Sequence, residues 1–157
     1  MNAVCDEVVV VLAPDAQAPG LADAVRIARD DVVGQGPLAG LLAGMAASST
    51  GWVLVAAGDM PELAELVLRE MLRVAREGSA RAVVLQDGDH YRPLPAALRT
   101  PPALVTARLL FDSGERRLRA LMEALDRVVL DQATWTALDP RRRTLRDVDE
   151  RGDLPTG

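Results

Sequence analysis

Two kinds of apolar pattern alternate along this chain. Unbroken apolar runs occur at residues 8–13 (VVVVLA) and 52–57 (WVLVAA), and a third, AVVL, sits within residues 81–86. Runs of this length bounded by turn signals predict strands buried on both faces. Between the first two, Leu38, Leu41, Leu42 and Met45 recur at i, i+3, i+4 and i+7. That stripe predicts a helix facing a core, and Pro37 suits its first position, where a missing N–H costs nothing. Residues 62–77 predict an amphipathic helix with Leu63, Leu66, Val67, Met71 and Val74 on one face. Glu65, Arg69, Glu70 and Arg73 lie on the other, and Gly78 is its C-cap.

Downstream, residues 91–98 look extended, and their prolines point to an edge or irregular strand. Only residues 87–90, which hold the Asp87-Gly88-Asp89 turn, separate them from residues 81–86, so an antiparallel, hairpin-like return is expected. Residues 102–111 and 115–125 read as helices, 128–130 as a short strand, 133–138 as a helical turn or two, and 145–149 as extended. Residues 21–29 fit a short helix, a strand or a loop. Strands alternating with helices predict a single three-layer α/β domain over residues 1–157. Its sheet should be mostly parallel, with residues 52–57 near the middle and residues 91–98 as the antiparallel member.

Composition narrows the function classes. The chain is 49% apolar but only 3% aromatic, so its core is aliphatic. The net charge of −5 argues against nucleic acid or an anionic membrane as partner. Arg141, Arg142 and Arg143 form one basic run, read as a solvated loop. A single cysteine, Cys5, excludes an internal disulfide and fits a reducing cytosol. No apolar run approaches the roughly 20 residues that span a bilayer. The expectation is a cytoplasmic protein.

Candidate chemistry concentrates between Asp30 and Glu62. Asp59 follows a buried strand, where a carboxylate can bind Mg²⁺ together with substrate phosphates. An equally strong bland role exists, because Asp59-Met60-Pro61-Glu62 fits a capping box. Gly36, Pro37, Leu38, Ala39 and Gly40 can form a loop at which backbone approaches a nucleotide and a helix N-terminus offers N–H groups. On pattern alone, the alternative is that Gly40 and Gly44 only permit close packing. Asp30 and Asp31 precede that loop and could bond a ribose or base, although paired acids are usually solvated. His90 reads as a surface residue and Cys5 as a small apolar one. Asp147 and Asp149 alternate on an extended stretch, so one could face a metal; solvent is the default.

In order, CDEVVVVLAP, DDVVGQGPLAGLLAGM, GWVLVAAGDMPEL, YRPLPAALR and TLRDVDERGDL closely resemble the molybdenum cofactor guanylyltransferase (MobA-like) family of nucleotidyltransferases. The resemblance covers nearly the whole chain. It implies a Rossmann-like fold of the nucleotide-diphosphosugar transferase type. It also implies transfer of GMP from GTP to molybdopterin, with release of pyrophosphate and Mg²⁺ as cofactor. The family's metal-binding Asp maps onto Asp59, and its closing polar pair onto Asp147 and Asp149, with Asp149 on the metal side. Its guanosine-contacting Asp maps onto Asp31, with Asp30 as the alternative, and its PLAG turn onto Pro37 to Gly40. Arg92, Pro93 and Asp147 fall on the substrate side.

One departure changes the expectation for activity. The family opens on a strand, a Gly-rich L-A-G-G-x-S-x-R-M-G loop and a downstream Lys, whereas here every basic residue is Arg and the first strand runs straight into Pro14. The domain therefore reads as N-terminally truncated relative to the family, or as degenerate and repaired by a homo-oligomer or a partner protein. Weak GTP–Mg²⁺ binding and poor turnover are expected. Two other functions stay open: a non-catalytic binding or regulatory module, and a transferase using another nucleotide.

Overall fold

The computed structural model describes residues 4–18, 20, 25–30 and 34–146. Strands β1 (Val8–Leu12) and β2 (Val25–Arg29) pair in parallel, Val8 opposite Val25 and Leu12 opposite Arg29. They form a two-stranded sheet of their own. A four-stranded sheet holds β3 (Trp52–Val55), β4 (Ala82–Asp87), β5 (His90–Arg99) and β6 (Arg127–Leu130) in the order β3-β5-β4-β6. β5 is antiparallel to both neighbours and β6 is parallel to β4, so three of these four strands share one direction. The antiparallel member is the expected one.

Helices α1 (Pro37–Ala47), α3 (Thr100–Asp112) and α4 (Leu118–Ala124) cover one face of the sheet, and α2 (Glu65–Glu77) and α5 (Gln132–Leu138) the other. Strand alternation divides the core between these layers. Ala82, Val84, Ala96 and Leu98 meet Leu38, Leu42 and Leu121. Val83, Leu85 and Ala97 meet Val67, Leu68, Met71 and Trp135. The result is the expected α/β three-layer sandwich. No described helix is long and apolar enough to cross a membrane.

Burial, not surface pairing, holds α2. Its fully covered Val67, Leu68 and Met71 contribute about 1.5–3 kcal/mol each. The exposed Arg69–Glu65 and Arg73–Glu70 pairs, at 2.8 and 2.6 Å, add little beside this, because water and salt screen them. The buried stripe runs through Leu68 and Leu72, while Leu66 is 58% exposed, which corrects the expected apolar face. The helix begins at Glu65 with Ala64 as N-cap, three residues later than expected, so Asp59 caps nothing.

The sheet differs most from expectation at β3. It stands at an edge of the four-stranded sheet rather than in the middle, because β1 and β2 do not join that sheet. Every residue of β1 and of β3 is only half-buried despite its apolar sequence. β5, in contrast, is interior: its prolines sit in a bulge, not at an edge. Between Val84, opposite Ala96, and Leu85, opposite Arg92, the register skips Pro93, Leu94 and Pro95. The Leu94–Pro95 bond within it is cis. Proline has no N–H for the ladder, so the interruption follows from sequence.

Candidate functional site

Direction is fixed at the amino end of the strands. Glu7, just ahead of β1, accepts hydrogen bonds from the Ser49 amide at 3.2 Å and the Ser49 hydroxyl at 3.3 Å. It also pairs with Arg26 near the start of β2 at 2.7 Å. The Ser49 amide, assisted by Arg26, holds the Glu7 carboxyl below the usual carboxylate range. Ser49 lies shortly before β3, so β1, β2 and β3 start at one end of the molecule and finish at the other.

Helix α1 runs back against β1 and delivers its N-terminus to that finishing edge. A Cβ added to Gly44 would stand 3.0 Å from Val11 Cγ2, so glycine there permits the close approach. Gly36 carries a left-handed φ of 80°, and a Cβ on it would lie 3.1 Å from Arg116 Cβ. Both facts require glycine at Gly36. The expectation that α1 offers free N–H groups is corrected. The Leu38 N–H donates to the Arg116 carbonyl and the Ala39 N–H to the Gly36 carbonyl, each at 3.2 Å, and Pro37 has none. What the GPLAG segment offers at the surface is the exposed backbone of Gly36 and Pro37, while Leu38 and Ala39 are buried.

The turn after β3 reaches the same edge. Met60 is buried and its amide donates to the Ala57 carbonyl at 3.3 Å, closing the turn that presents Asp59 to solvent. Among the described residues the Asp59 carboxylate has no hydrogen-bond or ion-pair partner. Glu62 does not reach back to it, as the capping box required, but pairs with Arg146 at 2.8 Å. The Ala64 N–H finds its acceptor 80 residues away, in the hydroxyl of Thr144 at 3.2 Å. That hydroxyl donates to Asp139 Oδ2 at 2.8 Å, which also accepts the Thr144 amide at 2.8 Å. Both side chains are buried.

A cavity of about 720 Å³ links these pieces. Pro37 and Gly40 line one wall, Gly58, Met60 and Pro61 another, and Leu94 of the bulge a third. Asp59 stands on the exposed turn beside it. The register places Arg92 and Pro93 beyond the point where β3 stops pairing, at Val55 opposite Ala96, hence on the same side of the sheet. Asp30 is there too, its amide donating to the carbonyl of Leu12, the last residue of β1, at 3.0 Å. Asp31, Asp147 and Asp149 lie outside the described residues.

The remaining candidates separate from this edge. His90 is exposed at the start of β5. Cys5 is half-buried near the amino end, and burial pushes its thiol up, as suits a small apolar residue rather than a nucleophile. The arginine run is a clamp rather than a merely solvated loop. Arg142 pairs with Asp87 and sits 5.4 Å above the Trp135 ring, and Arg143 Nε lies 3.8 Å from Asp139. Sequence reasoning missed the Arg116 carbonyl, which no pattern reveals, and Thr144, which the preceding arginines disguise as loop.

No group of three metal-ligating side chains occurs among the described residues. One free carboxylate beside a cavity still fits Mg²⁺, which takes one or two carboxylates and completes its shell with phosphate oxygens and water.

Known proteins share this architecture and sequence. Residues 1–128 match the MobA-like NTP transferase domain. A probable molybdenum cofactor guanylyltransferase from Chloroflexus aggregans is 34% identical over 98% of this chain, which spans 73% of that protein. One from Mycobacterium avium is 35% identical over 96% of the chain, spanning 72% of its length. Among solved structures, molybdopterin-guanine dinucleotide biosynthesis protein A from Archaeoglobus fulgidus superposes with a TM-score of 0.70 at 22% identity. It covers 82% of this chain, which spans 64% of it, under two thirds of its length. The 2-C-methyl-D-erythritol 4-phosphate cytidylyltransferase of Thermus thermophilus gives 0.69 at 16% identity, over 94% of this chain and 78% of its own. At these identities the two structures establish the Rossmann-like fold.

Proposed function

The chain belongs to the MobA-like NTP transferase domain family, and from that premise we propose that it transfers GMP from GTP to molybdopterin, releasing pyrophosphate. The observation that carries this reading is the shared cavity: the Pro37 end of α1 and the turn bearing Asp59 meet at the carboxyl ends of the strands. Ligands of α/β sheets bind at that edge. Asp59 would hold Mg²⁺, which supplies charge neutralisation on the phosphates when bound. The exposed backbone at Gly36 and Pro37, with half-buried Gly40 on the cavity wall, would let a base or ribose approach, and Asp31, or Asp30, would accept from its polar edge. Arg92 and Pro93 would serve the molybdopterin side, together with Asp147, and Asp149 would support the metal. The nucleophile is a phosphate, already ionised near neutral pH, so the chain aligns groups and needs no general base.

The test is pyrophosphate release from GTP, Mg²⁺ and molybdopterin, beside calorimetric GTP titration. Asp59→Asn should lower turnover at least 100-fold while leaving thermal unfolding unchanged, because its carboxylate has no partner to lose among the described residues. Equal turnover in this variant would reject the assignment. A second reading, a binding module without turnover, is favoured by the α1 N–H groups being already engaged. GTP binding with no pyrophosphate release would select it.

A further inference from the structure

Tyr91, near the start of β5, meets two arginines: Arg119 of α4 and Arg127 at the start of β6, the strand at the sheet edge opposite β3. The guanidinium carbon of Arg119 stands 4.7 Å from the centre of the Tyr91 ring and that of Arg127 stands 4.6 Å from it. The two cations are separated by no more than the sum of those distances, close enough to repel. Arg119 donates to the Tyr91 carbonyl at 3.3 Å and Arg127 to the Met122 carbonyl at 3.0 Å. Among the described residues neither meets a carboxylate, and Glu123, one turn on from Arg119, makes no ion pair with it. Two further donors are left over. The Tyr91 hydroxyl and Arg127 Nε are both buried, and neither has a hydrogen-bond partner among the described residues. Buried polar atoms ordinarily find one, so an orphan pair on neighbouring side chains points to a shared acceptor that is missing. That acceptor must carry negative charge, because two uncompensated cations flank it.

We infer that Tyr91, Arg119 and Arg127 form a site for a phosphate group, either free or at the end of a small phosphate ester. Three side chains on three separate elements supply the donors. A tetrahedral oxyanion accepts from several directions at once, whereas a carboxylate has only two oxygens in one plane and would leave a donor over. A phosphate ester carries a charge of about −1.5 to −2 at neutral pH, which matches the two guanidiniums. The site is open on one side. Arg119 is exposed. Val129, two residues on from Arg127 and on the same face of β6, is 41% exposed. Entry requires Arg119 to turn from the ring, exchanging a cation–π contact for a charged hydrogen bond. None of the three residues lines the cavity assigned to the nucleotide, so this inference does not rest on the transferase reading.

Tyr91 is the only tyrosine in the chain, so ring-¹³C tyrosine labelling places a single reporter inside the site. Inorganic phosphate, titrated into the full chain at constant ionic strength and neutral pH, should shift that signal along a saturating curve. Acetate over the same range should not saturate it. Glycerol phosphate is the second probe: saturation below the midpoint for free phosphate identifies an ester site, and saturation at or above it a site for the free ion. Arg119→Gln should raise the phosphate midpoint about tenfold, the loss of one charged hydrogen bond. Arg127→Lys keeps the charge but loses Nε, and should raise the midpoint as well. Arg108→Gln, at an exposed position on α3 outside the site, should leave it unchanged. Three results each overturn the inference: no saturation by either phosphate probe, saturation by acetate at the phosphate midpoint, or an unchanged midpoint in whichever of the Arg119 and Arg127 variants folds.

Discussion

Replacing Thr144 by Val tests the connection between the C-terminal turn and the Asp59 loop. The two side chains have nearly the same shape, so the perturbation is the hydroxyl alone. That hydroxyl donates to buried Asp139 at 2.8 Å and accepts the Ala64 N–H at 3.2 Å. Losing a hydrogen bond to a charged group costs about 1.5–3 kcal/mol. Asp139 Oδ2 keeps the Thr144 amide at 2.8 Å, which limits that loss to the lower part of the range. The Ala64 N–H loses its acceptor at the start of α2, an additional cost of about 1 kcal/mol because Ala64 is half-buried and water reaches it. The expected total is about 2.5–3.5 kcal/mol. Urea denaturation of the variant should show a lower midpoint at unchanged slope. Thr144→Ser keeps the hydroxyl and loses only a methyl group, so it should cost about 1 kcal/mol. If Val costs no more than Ser, the hydroxyl does not hold the α2 start, and the reasoning fails.

Gly36→Ala should destabilise by about 1–3 kcal/mol, since it combines a left-handed φ of 80° with a Cβ 3.1 Å from Arg116 Cβ; a thermal scan that matches the wild type would refute it. Glu115 accepts from the Arg117 side chain and from the Arg117 and Arg116 amides, which together lower its carboxyl to about 2. A depressed folded-state value stabilises fully above the unfolded value of about 4.3 and is lost as pH falls from there through about 2. Glu115→Gln should therefore flatten the pH dependence of the unfolding midpoint between about pH 4.5 and 2; an unchanged slope counts against the contacts.

Strands and helices were legible where one physical signal dominated. The β-branched run at β1, the stripe of α1 and the Asp87-Gly88-Asp89 turn before β5 all specify local conformation, and each element formed where expected. Pairing was less legible. Nothing in WVLVAA distinguishes an interior strand from an edge whose neighbour is a cavity, because composition records burial on two faces and not which edges are paired. The α2 start misled for a related reason. Asp59 through Glu62 has the spacing of a capping box, yet the acceptor for Ala64 is Thr144, a contact across 80 residues that local pattern cannot encode. At the site, the residue types at Gly36, Pro37 and Asp59 were readable. That α1 would turn its first N–H groups onto the Arg116 carbonyl was not, since a backbone acceptor leaves no mark on sequence.

The division of the strands into two sheets also decides where cooperativity ends. Among the described residues, β1 and β2 connect to the rest through α1 and the Glu7–Ser49 contacts, with no ladder to β3. Local opening follows such seams. The β1–β2 unit should exchange its amides through openings far smaller in free energy than global unfolding, while β4 and β5 report the whole molecule. A protease would then find its first cleavage sites at residues 13–16, just after β1, where Arg29 gathers the carbonyls of Ala13, Pro14 and Ala16 at 2.9–3.0 Å. Removing that guanidinium would unfasten the unit without disturbing the larger sheet.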